Sequence, residues 1–257
     1  MAFNLYSSNR MELLVEYLAM VLDQEKLPPL DSEIIIVQSQ GMARFLALEL
    51  AQRNRVWANG AFPFPNGFLQ DLLTEVLDEE LSLKKWQRGA LAWRIFDVLP
   101  SLLTESSFAV LADYCQTPEK SFQLSQQISD LFDQYVLYRP EMIADWSQGN
   151  DSSWQAMLWR RLVTDIDQPH RADLFARVLA TLSGNVKADL PRRISLFGIS
   201  SMAPQMLNVF AALGRHVQVN LFFLNPCQEE WSQIMTRASI TKAELVTEQD
   251  KEEQHLD

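Results

Sequence analysis

The chain has 257 residues, of which 47% are apolar and 10% aromatic, enough to bury a large core in one or two domains and unlike disordered or collagen-like composition. A formal net charge of -11 excludes a protein that coats nucleic acid nonspecifically, because such binding needs clustered Lys and Arg. A local basic channel remains open.

Residues 3–6 carry the composition of a short strand, and Asn9 with Glu12 reads as a capping box starting a helix with the stripe Leu14, Tyr17, Leu18 and Val21. Pro28 and Pro29 stop that helix, and residues 34–37, Ile-Ile-Ile-Val, form a β-branched apolar run expected to be a buried strand. Ser39-Gln40-Gly41 then reads as a tight turn before a helix over 42–51 that can bury Phe45, Leu46 and Leu50. After Pro63 and Pro65 another amphipathic helix is expected over 67–77.

From 84 to 187 the pattern is helical throughout, marked by Trp86, Ala90 and Trp93, by Leu124, Ile128, Leu131 and Tyr135, and by Phe175, Val178, Leu179 and Leu182 before Gly184. Strands resume over 194–199 and 217–224, separated by a helix over 204–213 that ends at Gly214, which is a β-α-β unit. The expected fold class is α/β, a mostly parallel sheet with helices on both faces and an all-helical insertion. The domain boundaries that follow are 1–83 for the first part of the α/β unit, 84–190 for the helical insertion, 191–235 for the return and 236–257 for an acidic, disordered tail. Within that tail, residues 244–257 hold six acidic side chains against one lysine, the mark of a solvated segment.

A buried strand, a glycine turn and a helix are the setting in which nucleotide-binding folds cradle phosphate with backbone N–H groups. Here Gln38-Ser39-Gln40-Gly41-Met42-Ala43-Arg44 has one glycine and no Lys-Ser or Lys-Thr pair, so ATP hydrolysis is not expected. Arg44 could supply a positive charge, but from within the helix. His170, His216 and His255 lack a second ligand at metal spacing and read as surface or capping residues. Cys115 and Cys227 are far apart, with neither a disulfide framework nor a zinc knuckle between them, and fit a reducing cytoplasm. Gly198-Ile199-Ser200-Ser201-Met202 lacks the second glycine of a nucleophile elbow. No run approaches the roughly twenty apolar residues of a membrane span, so a soluble cytoplasmic chain without cofactor or metal is expected.

Several segments together resemble the N-terminal region of the RecC family, the gamma chain of exodeoxyribonuclease V in RecBCD-type helicase–nucleases. The matching stretches are Ser8-Asn9-Arg10, Val37-Gln38-Ser39 with Gly41-Met42-Ala43, Phe62-Pro63, residues 130–135 with Tyr138-Arg139-Pro140, His170-Arg171-Ala172, Gly198-Ile199-Ser200 and Asn225-Pro226-Cys227. Their order and spacing are specific together. The resemblance implies a superfamily 1 helicase-like fold that lost its ATP motifs, and a whole subunit several times longer than this chain. It also implies a non-catalytic role in double-strand-break repair by homologous recombination. There the subunit guides the 3′-ended single strand and scans it for the Chi sequence, assembled with RecB-like helicase–nuclease and RecD-like helicase partners.

By the same resemblance, the DNA-contacting positions near the first helices are Gln38, Gln40, Arg44, Phe64 and Gln70. Those in the helical region are Asp130, Leu131, Asp133, Gln134, Arg139 and Arg171. Asp130, Asp133 and Gln134 share one helix face by their spacing, and carboxylates there can accept hydrogen bonds from exocyclic base amines. Arg139 and Arg171 could pair with those carboxylates or contact phosphate. The sequence departs from the best-known family pattern at Gln40 for threonine, Arg44 for glutamine, Phe64 for leucine and Gln70 for tryptophan, so base preference is expected to differ. Two rival functions remain: an ATP-binding helicase domain with a degenerate loop, and a protein-interaction scaffold docking partners through exposed Trp57, Trp146 or Trp231.

Overall fold

Two kinds of neighbour surround strand β4 (Arg193–Phe197), whose residues are buried at all five positions. In a strand, alternate side chains point to opposite faces, so burial throughout requires cover on both. The computed structural model, which describes residues 2–28, 30–79, 82–184 and 186–226, supplies that cover. Its sheet has five strands in the order β1-β5-β4-β2-β3, with β1 at Phe3–Ser8, β2 at Glu33–Ile36, β3 at Gly60–Ala61 and β5 at Gln218–Leu224. Every pairing is parallel, with Ile36 opposite Leu196 and Leu196 opposite Leu221.

Parallel neighbours need crossover connections, and helices supply them. Helices α1 (Met11–Gln24) and α2 (Gln40–Asn54) bury Leu14, Leu18, Leu46 and Leu50 against Ile35, Val37, Phe197 and Phe222 on one sheet face. On the other face, α3 (Pro65–Leu77) precedes a helical run of α4 (Arg88–Leu102), α5 (Ala109–Ala112), α6 (Pro118–Tyr138), α7 (Pro140–Gln148), α8 (Trp154–Ile166) and α9 (Arg171–Leu182). Among the described residues the last helix is α10 (Pro204–Leu213), between β4 and β5. One continuous apolar core joins Ile36, Ile194, Leu196 and Val219 of the sheet to Phe132, Trp159 and Leu162 of the helical run.

Several local expectations change. No capping box forms at Asn9: α1 begins at Met11 with Arg10 as its cap residue and no side-chain cap bond, while the Ser8 hydroxyl accepts from the Arg10 amide at 3.1 Å. Ser39-Gln40-Gly41 is not a tight turn. Ser39 caps α2, its Oγ accepting from the Met42 amide at 3.1 Å, and Gln40 and Gly41 already lie in the first helical turn. Strand β3 gave no signal at two residues. Tyr17 and Trp93, counted with apolar stripes, are exposed, whereas the buried stripe of α6 is Ile128, Phe132 and Val136. β4 stops at Phe197 because Gly198 turns to φ +65°, where its amide donates to the Phe222 carbonyl at 3.0 Å. The acidic stretch 236–257, Cys227, Trp231 and His255 lie outside the described residues.

Some helix boundaries were legible in residue chemistry. Thr117 and Pro118 start α6, with the threonine side chain accepting from Lys120 N, and Ser153 starts α8 in the same way. Pro140 ends α6, because the residue before a proline is pushed out of helical geometry; Arg139 sits at φ -135°, ψ 55°. Tyr138 and Arg139 therefore stand at a corner.

One buried ion pair ties the sheet to α1. The Arg193 guanidinium, 3% exposed, engages both carboxylate oxygens of Glu33 and donates to the Val21 carbonyl at 2.9 Å. Removing the carboxylate strands a desolvated cation, a loss of about 3 kcal/mol. Glu33→Ala is therefore expected to lower the urea midpoint by that equivalent, and Glu33→Leu combined with Arg193→Met to recover most of it. Equal midpoints for wild type and Glu33→Ala would show that the pair is energetically neutral.

Candidate functional site

With all strands parallel, their C-terminal ends open on one edge of the sheet. At that edge β2 and β4 are neighbours, yet β2 feeds α2 on one face and β4 feeds α10 on the other. Loops that part in this way leave a crevice, the usual binding position of open α/β sheets. It measures about 530 Å³ here, and Gln38, Phe64, Asn66, Tyr138 and Ser201 are among its walls, with Met202 and Met206 also lining it. The Gln38 amide donates to the Ser201 carbonyl across it at 3.4 Å, a long bond easily exchanged for another partner.

A second cleft, about 330 Å³, adjoins it between α3, α4, α6 and α9. Its polar lining is Gln70, Gln87, Arg88, Asp133 and Arg171, and Asn66 belongs to both hollows. Arg88 approaches Asp130 at 3.6 Å and Asp133 at 3.8 Å. These groups are solvated, so the pairs contribute little stability and serve chiefly to orient the carboxylates. The Arg88 backbone is itself fixed, since buried Ser129 donates its hydroxyl to the Arg88 carbonyl at 2.8 Å.

The apolar lining of this cleft includes Trp86, Phe132, Trp159 and His170. His170 is 3% exposed, with ring centroids 5.6 Å from Trp86 and 5.0 Å from Trp159. It caps α9: Nδ1 accepts from the Asp173 amide at 3.3 Å, while Nε2 lies 3.1 Å from the Asp173 carboxylate. Those bonds assign the neutral ring's proton to Nε2. Burial pushes its pKa below the ordinary 6.5, against an opposite pull from Asp173. Arg171, the first residue of α9, is carried on this anchored cap.

The structure brings Gln38 and Phe64 into the first crevice and Gln70, Asp133 and Arg171 into the second, with Asp130 joined through Arg88. Gln40 and Arg44 are exposed at the start of α2 and line neither hollow. Leu131 is half-buried and Gln134 exposed on α6, and Arg139 is exposed at the α6–α7 corner; none of these three lines either hollow. Arg88, Gln87, Asn66 and Tyr138 escaped the sequence reading as site residues. Arg88 is far from Asp133 along the chain, and no local pattern links them. Trp146 is no docking residue: it is 3% exposed, and its indole N–H donates to Asp151 at 3.0 Å. Trp57 is half-buried. Among the described residues no helix is long and apolar enough to cross a membrane, and no cluster of three or more His, Cys, Asp or Glu could hold a metal.

Fold and clefts define a parallel α/β protein that presents amides at the C-terminal edge of its sheet and, in an adjoining cleft between helices, carboxylates and guanidinium groups. The chain matches the family model described as RecC, N-terminal domain, over residues 3–256. It is 36% identical over 262 residues to the RecBCD enzyme subunit RecC of Escherichia coli, covering 95% of this chain and 23% of that protein. The subunit of the same name from Haemophilus influenzae is 34% identical over 271 residues, with 90% and 24% covered. That of Mycolicibacterium smegmatis is 28% identical over 250 residues, with 92% and 22% covered. The chain belongs to the RecC N-terminal domain family, and it spans about a quarter of the length of these curated relatives.

The buried imidazole makes stability depend on pH. As pH falls through about 6.5 the unfolded chain protonates His170 while the folded chain does not, so the unfolded state binds more protons and stability drops. Above that window the effect vanishes. His170→Asn keeps a cap acceptor but cannot titrate. Between about pH 7.5 and about pH 5.5 the wild type is expected to lose more of its urea midpoint than His170→Asn. Parallel losses would assign the acid sensitivity to other groups.

Proposed function

We propose that this chain is the N-terminal part of a RecC-type subunit that guides the 3′-ended single strand and scans its bases within a RecBCD-type helicase–nuclease, without hydrolysing ATP itself. The observation that carries it is the convergence of Gln38, Phe64, Gln70, Asp133 and Arg171 on two hollows that share Asn66, the first at the C-terminal edge of the sheet and the second among the neighbouring helices. These residues are widely separated in sequence. The carboxylate of Asp133 can accept from exocyclic base amines, the glutamine amides can both donate and accept, and Arg171 is available to phosphate.

The α/β part is read as an inactivated superfamily 1 helicase-like domain over 1–83 and 191–235, with 84–190 as its inserted helical subdomain. The return of the chain to pair β4 beside β2 supports that division. The loop geometry favours an inactive phosphate site: Val37, Gln38 and Ser39 alone separate β2 from α2, and the Ser39 hydroxyl already occupies the Met42 amide. A phosphate cradle would need such amides free. The partners in this reading are single-stranded DNA and the RecB-like and RecD-like subunits of a cytoplasmic complex acting in recombinational repair. Gln70 lacks the indole that the best-known family pattern has at that position, so strand passage is retained while base preference shifts.

The test uses the full-length subunit assembled with its helicase–nuclease partners and a duplex bearing a 3′ single-stranded tail. Arg139→Ala and Arg171→Ala are each expected to weaken binding and to reduce the logarithmic salt slope by about 0.7 for each phosphate left without its cation. Unchanged affinity and slope would instead favour a protein-interaction scaffold. A rise in the thermal midpoint of the chain on adding Mg-ATP, equivalent to about 2.7 kcal/mol at a hundredfold the Kd, would favour an ATP-binding domain; no rise is expected.

A further inference from the structure

We propose that Tyr138 is a base-stacking residue that forms, opposite Phe64, the second aromatic wall of the strand-end crevice and receives one nucleobase of the passing single strand. This rests on the strand-guiding role proposed above and assigns a residue that is not among the DNA-contacting positions the resemblance implies. The ring is unlike its neighbours on α6. Phe132 is fully buried and Tyr135 packs edge-on against Trp146 at 5.7 Å, whereas Tyr138 is 60% exposed. Phe64, across the sequence at the cap of α3, is 42% exposed, and both rings line the same hollow. What sets these two rings apart from other exposed aromatic residues such as Trp93 is that both line one hollow, where their open π-faces can meet a base.

The backbone places Tyr138 where it is. Helix α6 cannot extend past it, because Arg139 precedes Pro140 and leaves helical geometry. The ring is thereby held at the rim of the crevice by the end of a long helix, whose Phe132 and Val136 are anchored in the core.

The remaining walls fit a base. At about 530 Å³ the crevice lies within the range of roughly 300 to 1,000 Å³ usual for small-ligand sites. Gln38 and Asn66 offer amides that both donate and accept, as base edges require, and among the described residues Gln38 is engaged only by the long bond to Ser201. Met202 and Met206 add polarisable thioethers that adapt to a flat ring. Asn66 also lines the neighbouring cleft, so a strand with one base at Tyr138 can continue towards Gln70 and Arg171. Stacking of this kind is indifferent to base identity; discrimination falls to the amides and carboxylates.

The experiment uses the full-length subunit assembled with its helicase–nuclease partners and a duplex whose 3′ tail carries aminopurine at successive positions. In the unaltered complex one tail position is expected to show fluorescence quenching by stacking. Tyr138→Ala should abolish that quenching and weaken tail binding about tenfold, while Tyr138→Phe, which keeps the π-face, should retain both. If Tyr138→Ala binds and quenches like wild type while Arg171→Ala weakens binding, the stacking assignment falls and the strand-guiding role stands. If neither variant weakens binding, both fall. Should Tyr138→Ala fail to assemble, photocrosslinking of an iododeoxyuridine tail to the unaltered complex decides: label on the peptide containing Tyr138 supports the assignment, and label confined to other peptides overturns it.

Discussion

The pairing of β4 with β2 governs the molecule. Ile36 and Leu196 are register partners although the whole helical run lies between them in sequence. Closing so long a loop costs entropy before any contact compensates, though the cost grows slowly with length. The compensation comes from both sides at once. Ile194 and Leu196 enter the core shared with the helical run, and Phe197 enters the core under α1 and α2. Arg193 then locks the start of β4 to Glu33 at the start of β2. Without that strand, the sheet would separate into β1-β5 and β2-β3 pairs, and neither apolar face would be closed.

The edge that holds the candidate site is a by-product of the same constraint. Since β2 and β4 run side by side and in parallel, the loops after them emerge together and part towards opposite faces, opening the crevice beneath Gln38 and Ser201. The helical run adds the second hollow because it packs on the same face as α3 and α10. Its residues Asp133 and Tyr138 therefore come to lie beside Asn66, which belongs to the start of α3. A displaced register at β4 would separate these groups without altering any of them chemically.

Electrostatics at this edge reconcile an acidic chain with the nucleic-acid partner proposed above. The net charge of -11 argues only against indiscriminate phosphate binding. At the clefts Asp130 and Asp133 are each accompanied by Arg88, and Arg171 stands nearby. Such a mixed lining can hold a strand loosely by its phosphates while leaving carboxylates and amides to test base edges. Loose holding suits the strand-guiding role proposed above.

The residues alone determined the α/β class, the parallel arrangement and most helices, because these follow from local periodicity and from proline, glycine and hydroxyl signals. The β-branched run at 34–37 is legible within a few residues, whereas the caps at Thr117 and Ser153 and the break at Pro140 were passed over inside a stretch read as helical throughout. The resemblance also pointed to Gln38, Phe64, Gln70, Asp133 and Arg171. Only the tertiary structure decided that these five line two hollows sharing Asn66, that Trp146 is buried while Tyr138 is open, and that Arg88 attends the carboxylates. Such facts depend on which distant strands pair and which helix covers which face. They are set by the filling of two shared cores, and no short stretch of sequence encodes that.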